Sequence, residues 1–137
     1  MQNLMKITVT LLITFALAAC SFSVSTASLS NIKTGSKLVK GEVKKEVRVF
    51  PTDAPLIFVS AHLNNAPEDT KVSFTWRYLE GEGQDIDSVE VESKSGENRV
   101  SSNLTVPDAG WPPGKYEIIL ELDIDNSKPV HKKFQVK

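Results

Sequence analysis

The chain has 137 residues, of which 40% are hydrophobic and 24% are charged, and its formal net charge is −1 at pH 7. These values are ordinary for a globular protein, and the near-zero net charge argues against a nucleic-acid partner. The single cysteine, Cys20, excludes a disulfide within the chain, so packing alone must stabilise the fold.

Residues 1–19 have the three regions of an export signal peptide. Lys6 supplies a positive charge, residues 7–17 form an apolar run, and Ala18 and Ala19 are small residues of the kind that precede a cleavage site. The apolar run is too short to span a bilayer core, which takes about 20 helical residues. We therefore expect this segment to be a leader and not a membrane span.

The segment Leu17-Ala18-Ala19-Cys20 resembles the lipobox of bacterial lipoproteins. In that family the cysteine thiol receives a diacylglyceryl group, the chain is cut before the cysteine, and the new amine is often acylated. The resemblance implies acyl chains such as palmitate on Cys20, and two or more chains hold a protein stably on a membrane. Ser21 is not the Asp that signals inner-membrane retention in many Gram-negative lipoproteins, so in such an organism the outer membrane is favoured. A plain secretory leader with an unmodified Cys20 is the alternative.

Serine dominates residues 21–36, which carry little apolar surface. We therefore interpret residues 20–37 as a lipid-bearing cysteine followed by a flexible tether. Basic residues outnumber acidic ones in 31–50, and the balance reverses in 51–98. A basic segment beside the bilayer would be attracted to anionic headgroups, whereas ordinary solvated strand faces are the simpler interpretation.

After the tether, apolar and polar residues alternate with a period of two, and no helical period is evident. The pattern predicts strands over residues 43–50, 56–63, 72–78, 86–91, 100–106, 116–124 and 130–136. The fourth of these is short and edge-like, and Lys132 predicts a bulge or an edge position in the last. About seven short strands predict an all-β, antiparallel two-sheet sandwich over residues 38–137, with a closed barrel as the alternative.

Two features resemble an immunoglobulin-type sandwich. Trp76 lies in the middle of the third predicted strand, where such domains bury a tryptophan. The run Gly114-Lys115-Tyr116 resembles a tyrosine corner, in which the phenol bonds to backbone upstream, although Ile118 stands where antibody domains have a cysteine. More broadly, residues 50–137 are similar to small immunoglobulin-like domains of bacterial lipoproteins. The resemblance implies a fold and an envelope location, and it transfers no active site.

No catalytic constellation is evident, so we predict a non-enzymatic protein without a metal or another cofactor. His62 and His131, the only histidines, have no nucleophile at a recognisable spacing. Three carboxylates alternate along one strand face, namely Glu121, Asp123 and Asp125. One interpretation is that these carboxylates bind Ca²⁺. The other, which we favour, is that they form a solvated strand face opposite the lysines of the last strand.

Binding of another macromolecule, an envelope protein or a glycan, is the leading hypothesis. Sandwich domains bind partners through end loops or an unpaired edge strand. The candidate loops are residues 64–70, 81–85 and 108–115, with the acidic middle strand as a further candidate. The candidate partner-binding residues are Trp111, Asn65, Glu82 and Asp85.

Trp111 has two interpretations. Between Gly110 and Pro112, it is placed to stack on a sugar or to anchor a protein, or else to fold back beside Tyr116. Two further functions stay open: a periplasmic inhibitor or assembly factor for an exported enzyme, and a carbohydrate-binding module for envelope glycans. The residues do not separate these functions.

Overall fold

The computed structural model describes residues 26–94 and 96–137. Within them the chain forms eight β-strands and no helix: β1 (Ser28–Gly35), β2 (Val49–Phe50), β3 (Leu56–Asn64), β4 (Lys71–Tyr78), β5 (Gln84–Glu92), β6 (Arg99–Thr105), β7 (Gly114–Leu122) and β8 (Val130–Val136). They form a three-stranded sheet in the order β1-β3-β6 and a five-stranded sheet in the order β2-β8-β7-β4-β5. Neighbouring strands are antiparallel except β2 and β8, which run parallel. The leader and Cys20 lie outside the described residues.

The sheet order confirms the predicted immunoglobulin-like sandwich. Strands β1, β3 and β6 take the places of strands A, B and E, while β8, β7, β4 and β5 take those of G, F, C and C′. Trp76 is buried on β4, as predicted. Near the start of β7, the Tyr116 hydroxyl donates to the carbonyl of Pro112 at 2.5 Å, which confirms the tyrosine corner. Ile118 is fully buried two residues later.

Alternate apolar side chains of the two sheets form one core. Its centre is aromatic, because the rings of Tyr116 and Phe134 stack with their centroids 5.0 Å apart. Phe50 and Trp76 meet Phe134 edge-on, at 5.7 Å and 6.1 Å. Each such ring buries a large apolar area, so this core stabilises the fold without a disulfide.

The predicted tether extends too far. Residues 28–35 form β1, which pairs with β3 from Ser28 opposite Asn64 to Gly35 opposite Phe58. The register shifts at Asn31, whose φ of 51° marks a bulge. Because the bulge breaks the period of two, the sequence here is typical of a linker although the backbone pairs as a strand. The folded domain therefore begins before residue 38.

The predicted strand over residues 43–50 is also wrong in extent, since only Val49 and Phe50 pair as β2. Residues 36–48, which we call the covering segment, pass instead over the outer side of the three-stranded sheet, where Val43 bonds to Ser60, and then reach the edge of β8, where Glu46 pairs with Lys132. A tight turn at Lys40 and Gly41, with φ values of 51° and 75°, is closed by a bridge between the residues on either side.

Lys132 causes no bulge, because the β7–β8 register is continuous. Its ammonium bonds to Glu46 of the covering segment. No strand pairs with β8 on that side at this position, since β2 pairs only with Gln135 and Val136. The predicted edge position is therefore correct and the predicted bulge is wrong.

Candidate functional site

Trp111 is not an exposed binding residue. Its side chain is 2% exposed, and the indole N–H donates to the carbonyl of Ala54 at 2.7 Å. The ring also meets Tyr116 edge-on, with centroids 6.0 Å apart. The prediction of Trp111 as a partner-binding residue is therefore wrong: the indole is more stable packed on the end of the core, where its one polar atom has an acceptor.

The other three candidate residues are exposed, but they do not form one site. Asn65 lies between β3 and β4, whereas Glu82 lies in the turn between β4 and β5 and Asp85 is the second residue of β5. The two ends of β4 are about 25 Å apart at 3.4 Å per residue. The structure thus separates Asn65 from Glu82 and Asp85, which lie together.

Glu82 and Asp85 adjoin the most exposed strand of the sandwich. Strand β5 pairs with β4 on one side, and no described strand pairs with its other side. Eight of its nine residues are exposed, among them Ile86 at 41% and Val89 at 39%. The free side of β5 therefore presents unpaired backbone N–H and C=O groups, to which another strand can pair. This finding confirms the edge position predicted for the acidic middle strand. The predicted short length is wrong, because β5 has nine residues and is as long as β3 and β7.

Carboxylates recur along β5, at Asp85, Asp87, Glu90 and Glu92. Two of them face cations of β4: Arg77 Nε lies 3.5 Å from Asp85, and Lys71 Nζ lies 3.6 Å from Glu90. Such exposed pairs contribute at most about 1 kcal/mol each. The Asp87 carboxylate accepts a hydrogen bond from the backbone N–H of Ser88 at 2.9 Å. These carboxylates give the edge a negative charge that a cationic partner would recognise.

A bulge at Ile86 shapes the start of this edge. Trp76 lies opposite Asp87 and Arg77 lies opposite Asp85, so Ile86 is an extra residue without a partner on β4. Bulges increase the local twist and redirect side chains, and together with charges they keep edge strands from pairing indiscriminately. The edge is thus protected against aggregation while it stays accessible.

A groove of about 370 Å³ separates β5 from β6, the edge strand of the other sheet. Its walls include Val91 from β5, Val100 from β6, and Lys40 from the turn of the covering segment. Most of the other lining residues are polar or charged, among them Glu92, Lys94 and Arg99. The groove therefore adds a mainly polar surface beside the backbone groups of the edge.

Glu42 is the centre of an ion-pair cluster that the sequence did not reveal. Its carboxylate lies 2.7 Å from Lys44 Nζ, 3.1 Å from His62 Nε2 and 3.3 Å from Arg99 Nε. The hydrogen bonds from Lys44 and His62 lower the pKa of Glu42 to about 2. The partners come from the covering segment, β3 and β6, so no spacing in the sequence signals this cluster. It connects the covering segment to the three-stranded sheet.

His131 has a carboxylate partner as well, with its Nδ1 3.0 Å from Glu117 on the outer face of the five-stranded sheet. Across residues 26–94 and 96–137, no group of three or more His, Cys, Asp or Glu side chains is placed to hold a metal ion. The same part of the chain contains no helix with the length and apolar character needed to cross a membrane.

No protein-family model matches the sequence, and no curated protein matches it. The soluble domain of PmoD from Methylocystis sp. ATCC 49242 (Rockwell) superposes with a TM-score of 0.51 at 12% identity, over 80% of this chain and 90% of that one. The β-glucosidase EmGH1 from Erythrobacter marinus superposes with a TM-score of 0.50 at 13% identity, over 81% of this chain but only 15% of the glucosidase. At these identities the likeness shows a shared β-rich fold, and it carries no information about activity.

Proposed function

We propose that the protein is a lipid-anchored, non-enzymatic envelope protein whose immunoglobulin-like domain binds another macromolecule along β5. The observation that carries this proposal is a nine-residue edge strand that, among the strands of the described residues, has no neighbour on one side. Glu82 and Asp85 extend the surface to the turn that precedes the strand.

Strand addition is the mode of binding that this edge supports best. A partner segment in extended conformation pairs its backbone with β5, and its alternate side chains meet the carboxylates and the exposed Ile86 and Val89. Because β5 is acidic, a matching partner strand carries Lys or Arg at alternate positions. A second copy of β5 is a poor partner, since two acidic strands side by side repel each other.

The lipid anchor in this proposal is Cys20, supported by the lipobox resemblance. From Cys20 to Ser28, eight residues of extended chain reach at most about 28 Å, so the domain would stay close to the bilayer. Intact mass and membrane fractionation of the wild type and Cys20→Ala test the anchor. Cleavage before Cys20 with added acyl mass supports it. A soluble, unacylated wild type removes the membrane from the proposal and leaves the binding edge to be tested separately.

Crosslinking from Ser88, in the middle of β5, tests the binding edge. We expect a photo-crosslinking residue at this position, in the full chain in its native host, to capture one dominant partner. The double variant Asp87→Lys/Glu90→Lys should lower that capture by roughly tenfold or more, because it reverses the charge that the partner meets. The control Asp53→Lys/Asp108→Lys makes the same charge change at exposed loop sites and should retain the partner. Equal capture by both variants would contradict binding at β5.

The partner's identity separates the remaining alternatives. A stable one-to-one soluble complex with one exported enzyme would make the protein an inhibitor or assembly factor that acts through the same edge. Retention on peptidoglycan or polysaccharide would favour carbohydrate binding. The burial of Trp111 removes the residue on which that last alternative depended.

A further inference from the structure

The covering segment, residues 36–48, is held firmly on the outer side of the three-stranded sheet. Val43 is fully buried there, and its backbone N–H donates to the Ser60 hydroxyl at 2.9 Å. Val47 exchanges two hydrogen bonds with Thr34, at 2.8 Å and 2.6 Å. A side-chain carbon at Gly35 would lie only 2.5 Å from Val43, so a glycine is required for this close packing. The segment is therefore a built part of the domain surface and not a loose loop.

This surface is basic. The covering segment carries five cations, at Lys37, Lys40, Lys44, Lys45 and Arg48, against two carboxylates, at Glu42 and Glu46. Both carboxylates are already engaged: Glu42 by Lys44, His62 and Arg99, and Glu46 by Arg48 and Lys132.

All five cations are exposed. Lys44 and Arg48 pair with the carboxylates of the segment, and the other three are Lys37, Lys40 and Lys45. Within residues 26–94 and 96–137 these three form no ion pair. Five cations against two carboxylates leave an excess of three positive charges on the segment, so the outward field of this surface is positive.

Apolar side chains lie among these lysines. Val39 is 38% exposed, and Val47 is partly exposed. A shallow groove of about 280 Å³ is lined by Val39 and Val47 together with Lys37, Lys44 and Lys45. Cations around exposed aliphatic side chains match the interface of a bilayer, where headgroups carry the negative charge and the acyl boundary accepts apolar groups.

We propose that the covering segment is a contact surface for anionic phospholipid headgroups. Part of the opposite face is acidic, because Glu90, Glu121 and Asp123 line a pocket with Ser73 on the outside of the five-stranded sheet, where Lys71 pairs with Glu90. A negatively charged bilayer therefore attracts the covering segment more strongly than this part of the far face. This proposal depends neither on acylation of Cys20 nor on binding at β5.

Vesicle binding tests the proposal. Every protein in this test is full length and carries Cys20→Ser, which removes the acylation site. All variants therefore have the same leader and no acyl chain. We expect the parent protein to sediment with vesicles of phosphatidylcholine and phosphatidylserine far more than with phosphatidylcholine alone, and to be released as salt rises from 0.1 M to 0.5 M. The variant Lys37→Gln/Lys40→Gln/Lys45→Gln should bind anionic vesicles roughly 100-fold more weakly, at about fivefold per lysine.

The matched control is Lys115→Gln/Lys128→Gln/Lys137→Gln, which removes three exposed lysines elsewhere. It should bind anionic vesicles within about twofold of the parent, because its lysines lie outside the covering segment. Equal losses in the two triple variants would overturn the proposal in favour of a net-charge effect. Binding to soluble polyglutamate but not to vesicles would overturn it in favour of an acidic protein partner. Unchanged thermal unfolding of both variants excludes misfolding as the cause.

Discussion

The corner of residues 106–113 and the turn that leads into the edge strand β5 lie at the same end of the sandwich, since the Tyr78 hydroxyl donates to the carbonyl of Pro113. Their sequences suggested similar binding roles. The structure gives them opposite characters. Trp111 and Tyr116 close the corner, with both polar atoms bonded to backbone carbonyls. The edge is open, with its carboxylates in solvent. An aromatic beside prolines can satisfy its polar atom locally and be buried, whereas a row of carboxylates is too costly to desolvate and stays on the surface.

Truncation of Trp111 provides the largest test of this contrast. Trp111→Ala removes a buried ring and leaves the Ala54 carbonyl without its donor, so we expect a loss of about 3–5 kcal/mol in the free energy of unfolding. The matched variant on the edge, Ile86→Ala, should change it by less than about 0.5 kcal/mol. Urea titration of both proteins measures the difference. Similar small losses would mean that the corner does not contribute to core packing.

The carboxylate of Glu42 in the covering segment and those of β5 differ in the same way, and acid titration of stability measures the difference. Hydrogen bonds from Lys44 and His62 hold the pKa of Glu42 at about 2, against an ordinary value of 4.5. Because the folded pKa is the lower one, this stabilisation is complete above about pH 4.5 and is lost as the pH falls towards 2. Glu42→Gln should therefore flatten the dependence of the unfolding free energy on pH in that window. Hydrogen bonds from Lys132 and Arg48 also lower the pKa of Glu46. The Glu42→Gln variant should therefore retain part of the pH dependence of the unfolding free energy.

The exposed Glu92 of β5 is the control for that experiment. It forms no ion pair in the described part of the chain, so Glu92→Gln should leave the acid profile unchanged. An equal flattening by both substitutions would show that the Glu42 cluster has no special role in stability.

The phenol of Tyr116 offers a smaller effect. Tyr116→Phe deletes the bond to Pro112 and should cost about 1 kcal/mol. Burial raises the pKa of Tyr116 to about 12, so wild-type stability should fall as the pH rises from 10 through 12, and this fall should be weaker in the variant. Tyr78→Phe, which removes a more exposed bond to Pro113, should cost less. A larger loss from Tyr78→Phe would show that the corner does not depend on Tyr116.

The smallest change in stability is expected on the edge itself. Asp87→Lys/Glu90→Lys should alter the free energy of unfolding by no more than about 1 kcal/mol, because both side chains are exposed and Glu90 loses only its surface pair with Lys71. Thermal unfolding of the purified variant provides the check. A large destabilisation would show that the carboxylates of β5 are needed for folding. The loss of partner capture predicted for this variant would then give no evidence about binding.

Alternation predicted the strands with one face on the core. Residues 72–78 and 130–136 match β4 and β8 to within one residue, and the tyrosine corner was recognisable because its partners lie four residues apart in the chain. The same method failed for β1, where a bulge at Asn31 breaks the period, and for the covering segment, where buried Val43 has no alternating neighbours to mark it. Local patterns predict local geometry, and a bulge or a loop that lies across a sheet removes the pattern.

The sequence was sufficient to establish an all-β sandwich, its tryptophan and tyrosine landmarks and the acidic edge-like strand, because each depends on residues close together in the chain. Only the tertiary structure decided that Trp111 is buried, that Asn65 lies far from Glu82, and that Glu42 joins His62 and Arg99. Those outcomes depend on which surfaces meet when the two sheets pack. Contacts between residues 20 or 57 positions apart, as in the Glu42 cluster, are set by strand order and register, which no short stretch of sequence encodes.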